Sequence, residues 1–437
     1  MVDPTGATTD QAADDDLRQE HAVDLAAEAP APVTLDSSAT PGPGGDARHG
    51  LTAHSHGAGV PEQSRAERRT SFDPADFAEV TGREEEWRFT PVDRIGALLA
   101  DRPSDARLTW ETSLPAGVEL TEISTEEARS LGVMPPADRP AALAVAHSGG
   151  AARLHIPAEA HLAEPVRVSL EGASAGVVRG HLVVTAGRFS TATVIVEHLG
   201  SAQLSEVVSV VTEDGADLTV VSVQQWDDGA LHLAQHDAVV GRDARYKHVA
   251  VSLGGAVVRM NANVRYAGPG GEATLLGVYF ADAGQHLEHR SFVDHGPAHC
   301  RSNVVYKGAL QGDTAHTVWV GDVLIRAEAE GTDTYELNRN LVLTDGARAD
   351  SVPNLEIETG EIVGAGHASA TGRFDDEQLF YLQARGIPEA EARRLVVRGF
   401  FADVVQQIGV SEVVERIMAA IEAELDLAMN ATAGARA

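Results

Sequence analysis

Apolar positions divide the chain into contrasting textures. From about residue 150 to 350, short β-branched runs recur, among them Leu182-Val-Val-Thr185, Ala192-Thr-Val-Ile-Val-Glu197, Val207-Val-Ser-Val-Val-Thr212 and Leu218-Thr-Val-Val-Ser-Val223. Branched side chains have few χ1 rotamers and pack well on a pleated surface, so these runs predict strands. Gly187, Gly200, Gly215, Gly229 and Gly241 punctuate them at intervals of 12 to 15 residues. Two strands and two turns per coil give a period of roughly 25 to 30 residues, within the solenoid range. A β-sandwich or jelly roll would be punctuated the same way, and spacing alone does not separate them.

Helical spacing flanks this region. Ser71-Phe-Asp-Pro74, Phe77, Trp87, Phe89 and then Ile95, Leu98 and Leu99 predict a small N-terminal helical unit over 71–148, with a second short helix at Thr125–Gly132. Near the other end, Asp375 and Gln378 form a capping-box pattern, Gly386 closes that helix and Pro388 opens the next. Ser411 then caps a helix carrying Val413, Val414, Ile417, Ile421 and Leu425. The expected division is a β core over 149–372 and a C-terminal helical domain over 373–437, with helices capping the open ends of the strands. Phe400 and Phe401 are adjacent and cannot share one helix stripe, so one is a candidate partner contact; burial of both between helices is the alternative.

Residues 1–70 are rich in Ala, Asp, Pro, Gly and Ser and lack apolar periodicity, which predicts a disordered tail. His49, His54 and His56 lie in it and receive no role.

With 437 residues and 43% hydrophobic content, the chain can bury a large core. The formal charge of -31, with Lys247 and Lys307 the only lysines, argues against a polyanion-binding protein. A single cysteine, Cys300, excludes an internal disulfide framework and any multi-cysteine metal site built by this chain alone. No apolar run approaches the roughly 20 residues that span a bilayer, and the N-terminus lacks secretory-signal features, so a cytoplasmic location is expected. Phosphate-loop and His-Glu-x-x-His patterns are absent. His286, His289, His295 and His299 crowd one stretch, but alternation puts 286 and 289 on opposite faces. Convergence of His295, His299 and Cys300 on a metal is the alternative to histidines stacked along the rungs.

One further stretch stands out. Gly364-Ala-Gly-His-Ala-Ser-Ala-Thr-Gly372 places an isolated histidine, His367, on what reads as a small-residue turn directly ahead of a helix. A neutral imidazole is a good iron ligand.

Three motifs carry a resemblance. Glu85-Glu-Trp-Arg-Phe-Thr-Pro91 is the first; Asn338-Arg-Asn-Leu-Val-Leu343 leading to Ser351-Val-Pro-Asn-Leu-Glu-Ile357 is the second. His367-Ala-Ser-Ala-Thr-Gly372, with Asp375-Asp-Glu-Gln-Leu-Phe-Tyr-Leu382 and Arg385-Gly-Ile387, is the third. Their order over residues 70 to 430 resembles SufD, a scaffold family of the SUF iron–sulfur cluster assembly system. The resemblance implies a β-helix core and a non-catalytic role. It implies pairing with SufB through that core, or a homodimer, and docking of the ATPase SufC by the C-terminal helices, with Phe380, Tyr381, Arg385, Phe400 and Phe401 as candidate contacts. His367 becomes a candidate ligand of a transient iron–sulfur cluster shared with SufB, and a reduced flavin is associated with the family's complex. Two departures matter. Ala365-Gly366-His367-Ala368 stands where many SufD chains read Cys-Ser-His-Gly, and no cysteine follows Arg339-Asn340 as it does in SufB. A β-helix enzyme acting on acidic polysaccharide would want a basic groove, and a structural homodimer would leave His367 inert; these are the competing readings.

Overall fold

The computed structural model describes residues 68–374 and 376–435. Residues 1–67 of the expected tail, with its three histidines, and Asp375 of the capping-box pattern lie outside the described residues, whereas Arg68, in the part of that tail that is described, pairs with Asp322 and stacks on Phe292.

The β-branched runs fold as a parallel β-helix, as the family resemblance implied. Strands β5 (Thr191–Thr212), β7 (Leu231–Val240), β9 (Val257–Tyr266), β11 (His286–His295), β13 (His316–Ile325) and β15 (Arg348–Ile357) stack in one face. The other face begins on the same β5 and continues through β6 (Asp217–Trp226), β8 (Arg245–Ser252), β10 (Glu272–Ala281), β12 (Arg301–Leu310), β14 (Asp333–Val342) and β16 (Gly364–Arg373). Asp217, Arg245, Glu272, Arg301, Asp333 and Gly364 lie side by side, one per coil, so a coil takes about 30 residues.

Alternation along each strand sends one set of side chains inward. One inward lane passes through Val194, Val220, His248, Leu275, Val304, Glu336 and His367. Its aliphatic members belong to the main core. Large rings fit where the neighbouring coil has no side chain: a Cβ on Gly277 would lie 2.0 Å from the Tyr306 ring, and one on Gly308 would lie 1.8 Å from Tyr279.

The helices do not close the ends. α5 (Glu389–Gln406) and α6 (Ser411–Ala435) lie along the outer face of the β6–β14 sheet, where Val397, Phe401, Val404, Ile417 and Ile421 pack on Val221, Val249, Leu276 and Val278. Each such buried side chain contributes about 1.5–3 kcal/mol, which is why the helices cover this apolar face. Both lysines hold α5 down. Lys247 donates to the Gln407 carbonyl at 3.0 Å, and Lys307 donates to the Phe400 carbonyl at 2.9 Å and to Asp403 at 2.6 Å. The last coil, β15 and β16, is left largely uncovered.

The N-terminal segment covers the opposite face and is less helical than expected. It contains α1 (Gly96–Leu99), α2 (Thr125–Ser130) and α3 (Arg139–His147), but also β1 (Thr109–Ser113) and β2 (Glu119–Ile123). These two strands pair antiparallel with β4 (Val166–Ala186) and β3 (Ala151–Ile156), extending the sheet at its first edge. Trp87, Ile95 and Leu98 pack on Val177, Leu233 and Val257. Arg259 stacks over Trp87 at 3.9 Å while pairing with Asp138 at 2.9 Å and Glu288 at 3.3 Å, so the first sequence motif is a fastening of this segment to the solenoid.

Candidate functional site

His367 lies within β16 and not on a turn; Gly364, Gly366 and Gly372 beside it do not have positive φ. The run of small residues is extended because it pairs in register with β14, which overrides its loop-like composition. Its placement is nonetheless special. His367 ends the inward lane, and because no strand among the described residues stacks on the last coil its side chain is exposed.

Beneath it in register is Glu336, 1% exposed, with neither carboxylate oxygen hydrogen-bonded within the chain. Burial, with the charge of Asp322 adding to it, pushes the Glu336 pKa well above the usual carboxylate range. Burial therefore favours the protonated form of the carboxyl beneath the histidine.

The Asn338-Arg-Asn motif supplies the support. Asn338 donates to the Tyr279 hydroxyl at 2.9 Å, and that hydroxyl donates to Asn340 at 2.7 Å. Asn340 donates to Asn338 at 2.8 Å and to Thr371 of the last strand at 3.3 Å. Ser351 donates to Asn338 at 2.8 Å and Ser369 to Ser351 at 2.7 Å, joining β15 and β16 to the same network. The two motifs therefore meet in space in one hydrogen-bond network on the strands that carry Glu336 and His367, buried at Tyr279, Asn338 and Asn340 and exposed at Ser369 and Thr371.

At this end neither β15 nor β16 has a further strand partner among the described residues. Pro353 sits within β15, a position a strand tolerates at a sheet edge. Ile357 and Val363 are 45% and 73% exposed beside it.

The candidate contacts on the C-terminal helices separate. On α4 (Asp376–Ala384), Phe380 and Tyr381 are 72% and 57% exposed, and Arg385 stacks on Tyr381 at 3.7 Å. Phe400 is half-buried with the Lys307 ammonium 5.2 Å from its ring, whereas Phe401 is wholly buried and belongs to the core while α5 is docked.

The crowded histidines do not converge on Cys300. His286 faces outward to Glu288 at 3.2 Å, and His289 faces inward, stacked on Tyr279 and bonded to Ser252 at 3.0 Å. His295 is buried against Ser302 at 2.9 Å, while His299 occupies an exposed turn with φ 60°. Cys300 is buried with its thiol toward the Gly268 carbonyl, and burial raises its pKa, so it is no thiolate at neutral pH.

Motif reading missed a second polar centre inside the first coils. Glu206 is approached by three imidazoles, at 2.8 Å from His198, 3.1 Å from His232 and 3.9 Å from His236. These residues are scattered in sequence; the available signal was polar residues interrupting β-branched runs that coil stacking brings together.

A parallel solenoid flanked by helices and ending on an uncovered polar coil is the class of protein that fold and site define. Residues 169–400 match the family described as SUF system FeS cluster assembly, SufBD core domain. The chain is 51% identical over 389 residues to an iron–sulfur cluster assembly SufBD family protein of Mycobacterium tuberculosis, covering 86% of this chain and 96% of that one. It is 25% identical over 335 residues to iron–sulfur cluster assembly protein SufD of Bacillus subtilis, covering 74% and 75% of the two chains. With SufD of Escherichia coli it shares 27% identity over 190 residues, 44% of each chain. The chain belongs to the SufBD family, and its role lies in iron–sulfur cluster assembly by the SUF system.

Proposed function

We propose that this protein is a non-catalytic scaffold subunit that pairs with SufB across the open last coil, presents His367 there to the nascent cluster, and docks SufC on its C-terminal helices. The carrying observation is the place of His367, exposed at the end of the inward lane on a strand whose outer edge has no strand partner among the described residues. A neutral imidazole binds iron, and with Cys300 buried and protonated any thiolate ligand has to come from the partner. Unpaired backbone on a strand of small side chains invites a second sheet to continue it, and the exposed Ile357 and Val363 offer apolar area to the same partner. For SufC, the reading uses Phe380, Tyr381 and Arg385 on α4, with Phe400 at the margin.

Co-expression with cognate SufB and SufC under anaerobic conditions tests the central claim. The His367→Ala complex is expected to assemble like wild type but to accumulate at least about tenfold less cluster by absorbance and iron content, since losing a ligand costs no less than losing one of its outer-shell partners. An intact mutant complex with wild-type cluster yield would make His367 structural.

A further inference from the structure

We propose that the first coils of the solenoid hold a divalent transition metal ion of the Zn(II) or Fe(II) class, bound by Glu206, His198 and His236 and separate from the open end. Glu206 lies on β5 and points inward beside His232 and His236 of β7, while His198 reaches it from the earlier half of β5. All four residues are buried. Two ligand atoms sharing one ion at 2.0–2.1 Å lie about 3.0–3.5 Å apart, and the Glu206 carboxylate lies 2.8 Å from His198 and 3.9 Å from His236, one on either side of that range.

The hydrogen bonding assigns roles. The Trp226 indole donates to His232 Nδ1 at 3.2 Å, and an indole N–H can only donate. Neutral His232 therefore carries its proton on Nε2 and donates it to Glu206, which makes His232 an orienting group, not a ligand. His236 is different, since Nδ1 meets His248 Nε2 at 2.9 Å and Nε2 has no hydrogen-bond partner. With its proton on Nδ1, donated to His248, the lone pair on Nε2 is free, the arrangement usual for a metal-bound imidazole. His198 has neither nitrogen in a hydrogen bond, although Nε2 lies 2.8 Å from the Glu206 carboxylate. No partner fixes the His198 tautomer, and with its proton on Nδ1 the Nε2 lone pair can share an ion with the Glu206 carboxylate.

Glu206 also has a way out to solvent. It lines a cavity of ≈ 1180 Å³ between the N-terminal segment and β4, together with Arg179, His181, His147 and Trp110. One carboxylate and two imidazoles suit zinc or ferrous ion better than calcium or magnesium, which prefer all-oxygen shells.

The test uses the full-length chain, stripped with chelator and titrated with Co(II) and then Zn(II). Wild type is expected to bind one Co(II) with the visible absorption of a nitrogen–oxygen site, displaced by Zn(II). His198→Ala and Glu206→Gln should weaken binding at least about hundredfold and His232→Ala about tenfold, while exposed His161→Ala leaves it unchanged. Circular dichroism checks each fold. Failure of the wild-type chain to take up stoichiometric Co(II), or unchanged binding in folded Glu206→Gln, overturns the proposal and leaves a structural ion pair; neither result bears on His367.

Discussion

Burial lowers the pKa of His181, beneath the N-terminal segment, to about 4 and those of His289 and His295, inside the solenoid, to about 3, in each case because a charged imidazole loses its water. Unfolding restores values near 6.5, so below that pH the unfolded chain binds more protons than the folded one. Their neutral forms thus stabilise the fold fully above pH 6.5, and that stability drains away as pH falls towards 4. Each contributes a slope of about 1.4 kcal/mol per pH unit. Denaturant midpoints should hold steady between pH 8 and 7 and fall steeply from 6 to 5, with His295→Gln showing a shallower decline; a flat profile down to pH 5 would contradict the burial argument. Residue motifs exposed part of the site. His367 and the Asn338-Arg-Asn sequence were legible, but their union was not, because it depends on which coil each occupies. Small residues around His367 read as a turn, and only pairing with β14 makes them a strand.

Helices α4 and α5 are joined in sequence yet held very differently. Phe401 is buried in the α5–sheet core, so Phe401→Ala is expected to cost about 3–5 kcal/mol by leaving a cavity. Limited proteolysis should then cut first between 389 and 425. Phe380→Ala with Tyr381→Ala removes exposed rings and should move stability by less than about 0.5 kcal/mol. If the SufC reading holds, this same pair abolishes retention of SufC in pull-down, and undiminished retention would move the dock elsewhere. The amphipathic stripe of α5 was readable from its spacing, but not which of two adjacent phenylalanines it buries, since that is settled by the sheet opposite.

For the molecule as a whole, glycine punctuation fitted a solenoid and a sandwich equally, and the family motifs separated them. What sequence could not convey was where the helices go. An amphipathic helix declares that it covers something apolar, not whether this is a sheet face or an end. Here the outward face of the β6–β14 sheet is apolar enough to take α5 and α6, so the last coil stays uncovered. The two lysines that pin α5 to that face carry an experimental consequence. Every side-chain amine in the protein is engaged by this one helix, Lys307 being only 5% exposed. An acylating reagent can therefore modify Lys307 only when α5 lifts away, so the rate at which Lys307 gains mass becomes a clock for undocking. Mass spectrometry with and without bound SufC would read it: slower labelling in the complex means the ATPase clamps the helix, and faster labelling means it levers the helix off.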